Sequence, residues 1–475
     1  MFESDAALID AMAEAARAES VAIARRLAAV GELYARRAVE LVGCQFWCTD
    51  PFEAVAAEVS AALNISRARA GSQIRYAREL RERLPQVAAV FAAGGVDFRL
   101  VQTVINRTSN VTDEGMAVLD AALARVIPRW MKLSGPKLAD RVDQWVAKVD
   151  PDGVRVPPSV EESRYVEVEA TVPGMAGIWA NIHATDAAAF DQRLDALART
   201  VCADDPRTVM QRRSDAVGVL AAGAEKLLCQ CGSEQCPALG EGGAAPVVIH
   251  LVAEKATVTG AGDNPGYLPK FGIQPAESVR RHCATAKLRP LAAPIESQMG
   301  YRPSAALMRF IRWRDLTCRW PGCDAPVCDA DHTVPYPAGP TSWGNLKQYC
   351  RSHHLVKTFY CGPGGWSERQ LADGTLILTS PTGHRYTTEP EGARLFPGLG
   401  PSTETPAAAG AFTPETTTPR ARRGLVMPTR KRTREADRRA RIDRERRICA
   451  DMNTARQVAH ARLLGEIAAA DPPPF

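Results

Sequence analysis

The stretch that decides the fold runs from residue 317 to residue 358 and reads "TCRWPGCDAPVCDADHTVPYPAGPTSWGNLKQYCRSHHLVKT". It contains four of the thirteen cysteines and three of the eight histidines of the 475-residue chain. Thiol and imidazole groups at this density are typical of metal binding, because both are preferred zinc ligands. The stretch therefore predicts a small module organised around at least one metal ion.

Four of these residues form two chelating pairs. Cys318 and Cys323 flank a Pro-Gly turn, and Cys350 is followed by His353. Two such pairs about thirty residues apart are the layout of a four-ligand structural zinc site. We expect Cys350 and His353 to share one face of a helix that begins near Asn345. The zinc ion would hold together a module that has too little core of its own.

A second set of polar residues remains after zinc is satisfied. His354 directly follows His353, and adjacent helix positions point about 100° apart, so we expect the two imidazoles to serve different ions. Asp331 and His332 end the predicted strand "VCDADHTV", and Asn345 lies between that strand and the helix. A carboxylate, two imidazoles and an amide suit a catalytic metal with an open coordination position.

The order of these residues resembles that of the HNH endonucleases, the ββα-metal nucleases. The phrases "TCRWPGC", "DADHTVPYPAGPTSWGNL" and "CRSHHLVKT" resemble the actinobacterial members, which include the mycobacterial 13E12-repeat proteins. In those proteins an HNH domain follows a long helical domain of unknown function. The segment "VAAEVSAALNISRARAGSQIRYARELRERLPQV", residues 55–87, resembles that domain too. The resemblance covers most of residues 20–390.

The resemblance implies a role for each residue. His332 would be the general base that takes a proton from water, and Asn345 would orient its imidazole. Asp331 and His354 would hold one catalytic divalent ion, Mg²⁺ or Mn²⁺ in preference to Ni²⁺ or Zn²⁺. That ion would stabilise the charge that grows on the phosphate and on the departing 3′ oxygen. The implied activity is metal-dependent hydrolysis of DNA phosphodiester bonds, which leaves a 5′ phosphate.

Basic residues near the module are candidate contacts to DNA phosphates. They are Arg312, Arg314 and Arg319 around the first cysteine, and Lys357 on the predicted helix. The alternative is that these side chains only make the surface soluble.

The N-terminal part, residues 1–155, is predicted to be a helical domain. Apolar residues recur at helical spacing, and helices are expected at 5–42, from Pro51 to about 83, and around 98–107, 113–126 and 136–147. The turn "NIS" at 64–66 divides residues 52–83 into two helices, with Ser66 as a cap. This pair is an ordinary helical hairpin or, as an alternative, a helix-turn-helix that reads DNA.

Residues 156–300 are predicted to form a small α+β unit. Alternating apolar and polar residues around 166–182 indicate two strands, and the apolar run at 245–254 indicates a third. Cys229, Cys231 and Cys236 lie close together here. They could bind zinc with Cys202 or His250, or they could be incidental thiols in a loop, and the spacing leaves both open.

The remaining segments are an HNH domain at 301–390, a disordered linker at 391–420 and a basic helical tail at 421–475. Residues 420–447 contain 13 Lys and Arg against 4 Asp and Glu, although the whole chain has a net charge of only +5. A basic helix behind a flexible tether favours sequence-independent contact with phosphates over a merely solvated helix.

Several classes of protein are excluded by composition. No apolar run reaches the roughly 20 residues that cross a bilayer. The N-terminus "MFESDAALID" is acidic and lacks the apolar core of a signal peptide. Thirteen cysteines, an odd number, indicate free thiols or metal ligands and not a disulfide framework. We therefore expect a cytoplasmic protein with DNA as its partner.

The sequence predicts an α+β multidomain protein that acts as a metal-dependent endonuclease, with one structural Zn²⁺ and one catalytic divalent ion. Two other functions remain open. The first is a zinc-containing DNA-binding protein of a mobile or repetitive element that no longer cuts. The second is a transcription regulator that uses the helix pair at 52–83.

Overall fold

The computed structural model describes residues 4–156, 163–238, 250–269, 271–284, 286–291, 297–326, 328–371, 373–400 and 426–469. In these residues the protein is mainly helical and has small antiparallel sheets. The chain divides into two compact units, one of residues 1–157 with 291–475 and one of residues 158–290. None of the described helices is long and apolar enough to span a membrane.

Seven helices form the N-terminal part of the first unit. They are α1 (Asp5–Glu40), α2 (Pro51–Leu63), α3 (Arg67–Glu82), α4 (Pro85–Ala92), α5 (Phe98–Arg107), α6 (Asp113–Val126) and α7 (Gly135–Val149). Side chains at several N-termini accept hydrogen bonds from the first turn, as Asp50 does from the Glu53 N–H and Ser66 from the Arg69 N–H. A continuous core with Leu27, Ile74 and Phe91 joins the helices.

The pair α2–α3 belongs to this core. Nearly every residue of α2 is buried, and α3 buries Ile74, Ala77 and Leu80. Both helices therefore use their apolar faces in packing.

The second unit consists of short elements. They are β1 (Tyr165–Ala170), β2 (Ala176–Asn181), α8 (Ala184–Ala198), α9 (Val209–Ala221), α10 (Lys255–Thr259), β3 (Gly266–Leu268), β4 (Gly272–Gln274) and α11 (Ala276–Cys283). Strands β1 and β2 pair in an antiparallel hairpin, as the alternation predicts. The strand expected at 245–254 can be compared only in part, because residues 245–249 lie outside the described part of the chain. Of the rest, Val252 forms a single bridge with Tyr267.

The rest of the first unit contains the module around residues 317–358. The elements of this remaining part of the first unit are α12 (Ala305–Asp315), β5 (Asp329–His332), β6 (Leu346–Tyr349), α13 (Arg351–Phe359), β7 (Ser367–Gln370), β8 (Leu376–Thr379), β9 (Arg385–Thr388), α14 (Glu391–Leu395) and α15 (Arg434–Ala469). Strands β5 and β6 are antiparallel, with Asp331 opposite Lys347 and His332 opposite Leu346.

The prediction that a helix begins near Asn345 was wrong about the starting residue. Residues Leu346–Tyr349 form the buried strand β6, because they pair with β5 along its whole length. Helix α13 begins only after Cys350, which is its N-cap residue. The local order is therefore strand, strand, helix.

The prediction of a disordered linker at 391–420 was wrong for its first ten residues. Helix α14 packs on α12, and Gly392 lies so close to the Trp313 carbonyl that no Cβ would fit there. Residues 401–425 lie outside the described part of the chain. The basic helix expected after the linker is α15.

Candidate metal centre

Four side chains of the module converge on one point. The ligand atoms of Cys318, Cys323, Cys350 and His353, here called the knuckle cluster, all lie within 4.8 Å of one another. His353 Nδ1 is 3.4 Å from Cys318 Sγ and 3.3 Å from Cys350 Sγ. Ligands of a tetrahedral zinc ion at about 2.1–2.3 Å lie roughly 3.5 Å from one another. The four residues therefore fit a metal such as zinc, as their spacing in the sequence predicts.

The first ligand pair lies on a turn that packs against the helical domain. Gly322 in this turn has φ +77°, and a Cβ there would lie 2.6 Å from the Ile65 carbonyl oxygen. Trp320 Nε1 donates to the Ala57 carbonyl at 3.3 Å, and its ring stacks on His353 with centroids 4.8 Å apart. The knuckle cluster is thus fixed to the end of α2, and its imidazole is held by an indole.

The adjacent imidazole faces a different group. His354 Nε2 lies 3.3 Å from Asp331 Oδ1, and its Nδ1 lies 3.5 Å from the Asp329 carboxylate. At this distance Nδ1 makes no hydrogen bond to the Asp329 carboxylate. One carboxylate oxygen and one imidazole nitrogen therefore face each other, separate from the knuckle cluster, and are two atoms that could hold a metal ion.

The other oxygen of Asp331 is bound by two lysines. Lys347 Nζ and Lys357 Nζ lie 2.7 Å and 2.8 Å from Asp331 Oδ2, and Lys347 also binds Glu368 at 2.7 Å. Burial alone would raise the pKa of Asp331, but the two ammonium groups hold that pKa well below its usual range. Asp331 is therefore a carboxylate, and only Oδ1 is directed at His354.

His332, at the end of β5, is buried to 6% exposure under the ring of Tyr301. Its Nε2 lies 2.9 Å from Thr341 Oγ1, and the Thr341 hydroxyl donates to the Gly300 carbonyl at 2.7 Å. A hydroxyl has one proton, so Thr341 accepts from Nε2–H, and Nδ1 keeps the lone pair of the neutral ring. Burial lowers the pKa of His332, which favours this neutral form.

Asn345 does not contact the His332 ring, so the expected direct orientation was wrong. Its Oδ1 accepts from the Val334 N–H at 2.8 Å, and its Nδ2 donates to the carbonyls of Val334 and Pro340 at 2.9 Å and 2.8 Å. Asn345 therefore braces the loop that joins His332 to Thr341. Asn345 thus acts on the position of His332 indirectly, and Thr341 makes the hydrogen bond to the imidazole.

Three of the four candidate phosphate contacts point elsewhere. Arg314 and Arg319 are 0% and 3% exposed, and both bind Asp315. Arg314 also donates to the Trp343 carbonyl, and Arg319 donates to the Thr388 carbonyl. Lys357 is bound to Asp331 and to the His332 carbonyl. The expectation of phosphate contact is wrong for the two arginines because the fold buries them, whereas Arg312 is exposed.

The family of the chain follows from its relatives. Residues 14–315 match the family described as "Domain of unknown function (DUF222)". The chain belongs to the DUF222 family. It is 43% identical to the uncharacterized protein Rv3776 of Mycobacterium tuberculosis (strain ATCC 25618 / H37Rv) over 475 residues, 93% of this chain and 90% of the relative. The uncharacterized protein Rv2100 of the same strain is 40% identical over 496 residues, 94% of this chain and 88% of the relative. No solved structure matches.

The match to DUF222 crosses both compact units and ends at the last residue of α12. The knuckle cluster therefore lies outside the matched part. The expected likeness to mycobacterial proteins is confirmed in this form, and the names of these DUF222 relatives state no activity.

Arginines of the basic tail of this DUF222 protein form ion pairs with acidic residues of the N-terminal helical part. Arg434 in α15 pairs with Glu53 at 2.7 Å, and Arg446 pairs with Asp150 at 2.6 Å. Burial alone would raise the pKa of Asp150, but the hydrogen bonds from Arg446 and from backbone N–H groups, together with the charge of Arg446, lower that pKa. Eight other Lys and Arg side chains in the described part of the tail are exposed: Lys431, Arg432, Arg439, Arg441, Arg444, Arg447, Arg456 and Arg462. The tail thus has one face for the helical domain and another for solvent.

Sequence reasoning missed Thr341, Lys347, Glu368 and Asp329. Lys347 and Glu368 gave no signal because their pairing joins two strands that are far apart in sequence. Thr341 stands next to the turn "PAGP", and its role depends on Gly300, which is 41 residues earlier.

Proposed function

We propose that this protein is a metal-dependent endonuclease of the HNH type that hydrolyses phosphodiester bonds of DNA. One observation carries the proposal. The β5–β6–α13 segment brings a two-ligand set, Asp331 and His354, into the same strand pair and helix as His332, whose Nδ1 can accept a proton. A carboxylate, an imidazole ligand and a neutral imidazole base are what metal-assisted phosphodiester hydrolysis requires.

In the proposed reaction, His332 Nδ1 accepts a proton from the water whose oxygen attacks phosphorus. Thr341 holds Nε2–H and so leaves Nδ1 as the basic nitrogen. The bond between phosphorus and the 3′ oxygen breaks, the departing oxygen takes a proton from solvent water, and the products are a 3′ hydroxyl and a 5′ phosphate. A divalent ion between Asp331 and His354 would stabilise the charge on the phosphate and on the departing oxygen.

The charge of the site supports an ion that binds together with DNA. The two carboxylates of Asp331 and Glu368 are balanced by the ammonium groups of Lys347 and Lys357. These four side chains therefore have no net negative charge with which to balance a divalent cation. The DNA phosphate would supply that negative charge. Mg²⁺ or Mn²⁺ suits a carboxylate, one imidazole and phosphate oxygens.

The surface beside His332 supports a nucleic acid as the substrate. Tyr301 is 60% exposed and Tyr336 is 41% exposed, and both rings lie against His332. Exposed aromatic rings stack on bases or sugars, and the exposed Arg351 at the start of α13 suits a phosphate. We place the activity in the cytoplasm, where cysteine ligands stay reduced.

The alternative is a zinc-containing protein that binds DNA without cutting it. The exposed basic face of α15 favours this function, because such a face attracts phosphates of any sequence. A helix-turn-helix regulator has less support. Arg434 and Arg438 of the tail pair with Glu53 of α2 and Glu79 of α3, so the tail lies along the pair that would enter the groove.

Nicking of supercoiled plasmid by the full chain with Mg²⁺ or Mn²⁺ tests the proposal. The variant is His332→Ala, and the matched control is His384→Ala, an exposed histidine in the turn between β8 and β9. We expect nicking by the wild type and the control, and a loss of at least about 100-fold in His332→Ala, since a general base contributes 10²–10⁴-fold. Zinc content should be equal in all three.

Two results would count against the proposal. If the zinc-loaded, folded wild type binds DNA and cuts neither plasmid nor genomic DNA, the binding-only alternative is favoured. If His332→Ala nicks as fast as His384→Ala, then His332 is not the base.

A further inference from the structure

We propose that the second compact unit binds its own structural zinc ion through Cys202, Cys229, Cys231 and Cys236, here called the loop cluster. The ligand atoms of these four residues all lie within 4.8 Å of one another, as do those of the knuckle cluster. Cys202 Sγ and Cys229 Sγ are 3.5 Å apart. Four thiolates in a compact group are the ligand set of a closed, structural zinc site. This site is independent of the proposed nuclease activity.

The cysteines come from two loops that lie far apart in sequence. Cys202 lies between α8 and α9, and the other three lie after α9. The spacing of the last three gives an incomplete set, and only the return of the chain after α9 brings Cys202 to them. A zinc ion would therefore tie the segment that follows α9 to the loop that connects α8 and α9.

Side chains around the loop cluster hold the two loops together. Asp205 is 5% exposed; it is bound by Arg207 at 2.8 Å, and its carboxylate accepts from the Gln230 N–H at 2.9 Å. Arg207 also donates to the Leu228 carbonyl at 2.6 Å. These contacts flank Cys229 on both sides in sequence. They fix the ligand loops in place, as the residues around metal sites commonly do.

One thiol also accepts a backbone hydrogen bond. The Ala238 N–H lies 3.4 Å from Cys236 Sγ. A backbone donor aimed at sulfur stabilises a thiolate, which is the form that binds zinc. Cys231 is followed by Gly232 with φ +74°, so the chain turns sharply between the ligands.

The apolar core around α8 and α9 is small, so a metal ion would add stability that the core does not provide. In the described residues around α8 and α9, the buried cluster consists of Leu194, Leu197 and Ala216. Both strands of the β1–β2 hairpin are mostly exposed. A segment with so little buried apolar surface needs a further cross-link, and a structural metal supplies one.

Metal content of the full chain tests the proposal. Elemental analysis of wild type purified under reducing conditions should give two zinc ions per chain. Cys231→Ser should give one, and Cys323→Ser should also give one, because each removes a ligand of a different cluster. Cys283→Ser is the matched control, a cysteine of the same unit outside the cluster, and should keep two.

Thiol labelling of the wild type adds a test that needs no folded variant. Peptides with Cys202, Cys229, Cys231 and Cys236 should resist alkylation until a chelator is added, whereas the Cys283 peptide should react at once. One zinc ion per wild-type chain, or full labelling of the four thiols in the zinc-loaded protein, would overturn the proposal. Iron in place of zinc, or disulfides between these cysteines in the reduced preparation, would overturn it as well.

Discussion

The knuckle cluster and the loop cluster have similar ligands and different surroundings. In the knuckle cluster Cys318, Cys350 and His353 are buried, and Trp320 and Tyr349 pack beside them. In the loop cluster only Cys236 is buried. A metal ion in the first is one part of an apolar core, whereas a metal ion in the second would replace a core.

The comparison also separates structure from chemistry. Beside the knuckle cluster, the next residue along the helix, His354, faces Asp331, and we have proposed this pair as ligands of a catalytic ion. In the loop cluster, all four ligands form one closed set. A structural zinc ion next to an open site can position catalytic groups, and a closed site can only hold chain segments together. The predictions below vary the metal, the packing and the neighbouring site in turn.

Removal of metal is expected to have the largest effect, and to act mainly on the loop cluster. Zinc binding contributes on the order of 10 kcal/mol in small zinc modules, which is comparable to the whole stability of a domain. We expect amides of residues 199–238 to lose protection from hydrogen exchange when a strong chelator is added, because little apolar core remains there. Helices α1–α7 should keep their protection, because their core contains no ligand. Unchanged protection at 199–238 would contradict the comparison.

Packing around the clusters can be compared with two glycines that have nearly the same backbone angle. Gly322 has φ +77° and Gly232 has φ +74°. A Cβ on Gly322 would lie 2.6 Å from the Ile65 carbonyl oxygen, whereas a Cβ on Gly232 meets nothing within 4 Å. Alanine at positive φ costs about 1–2 kcal/mol, and overpacking adds about 1–3 kcal/mol. Gly322→Ala should therefore lower the free energy of unfolding by about 2–5 kcal/mol, and Gly232→Ala by about 1–2 kcal/mol.

Hydrogen exchange at increasing urea concentration, read on peptides of each unit, measures both glycine variants separately. Zinc content should be recorded for each variant, so that a lost metal is not mistaken for a lost contact. Equal effects of the two substitutions would mean that contact with α2 does not distinguish the knuckle cluster.

The smallest effect concerns the site beside the knuckle cluster. Thr341→Val removes the hydroxyl that holds His332 and keeps the shape of a fully buried side chain. If the proposed nuclease activity is correct, kcat should fall about 10- to 100-fold, the usual cost of losing a residue that orients a catalytic group. KM should change little, and both clusters should keep zinc. Thr341→Ser retains the hydroxyl and should stay within a few-fold of wild type; a loss as large as that of Thr341→Val would point to packing instead.

Much of the fold follows from patterns of short range. The helices at 98–107 and 113–126 appear where apolar spacing predicts them, with Asp97 and Thr112 as N-caps. The pairs Cys318–Cys323 and Cys350–His353 are visible because each pair spans only a few residues. The adjacency of His353 and His354 indicates two directions from helix geometry alone. Strand β6 was missed, because four buried residues in a row do not distinguish a strand from a helix.

What the sequence by itself determined is therefore local: helices, caps, chelating pairs and the order of the candidate site residues around Asp331 and His332. The tertiary structure alone decided which groups meet across long separations. It buries Arg314 in an ion pair with Asp315, and it brings the Thr341 hydroxyl to the His332 ring. It also brings Cys202 to a set of three that looked incomplete. The physical reason is that hydrogen bonds, ion pairs and metal ligation act over a few ångströms in space, whereas the sequence records only distance along the chain.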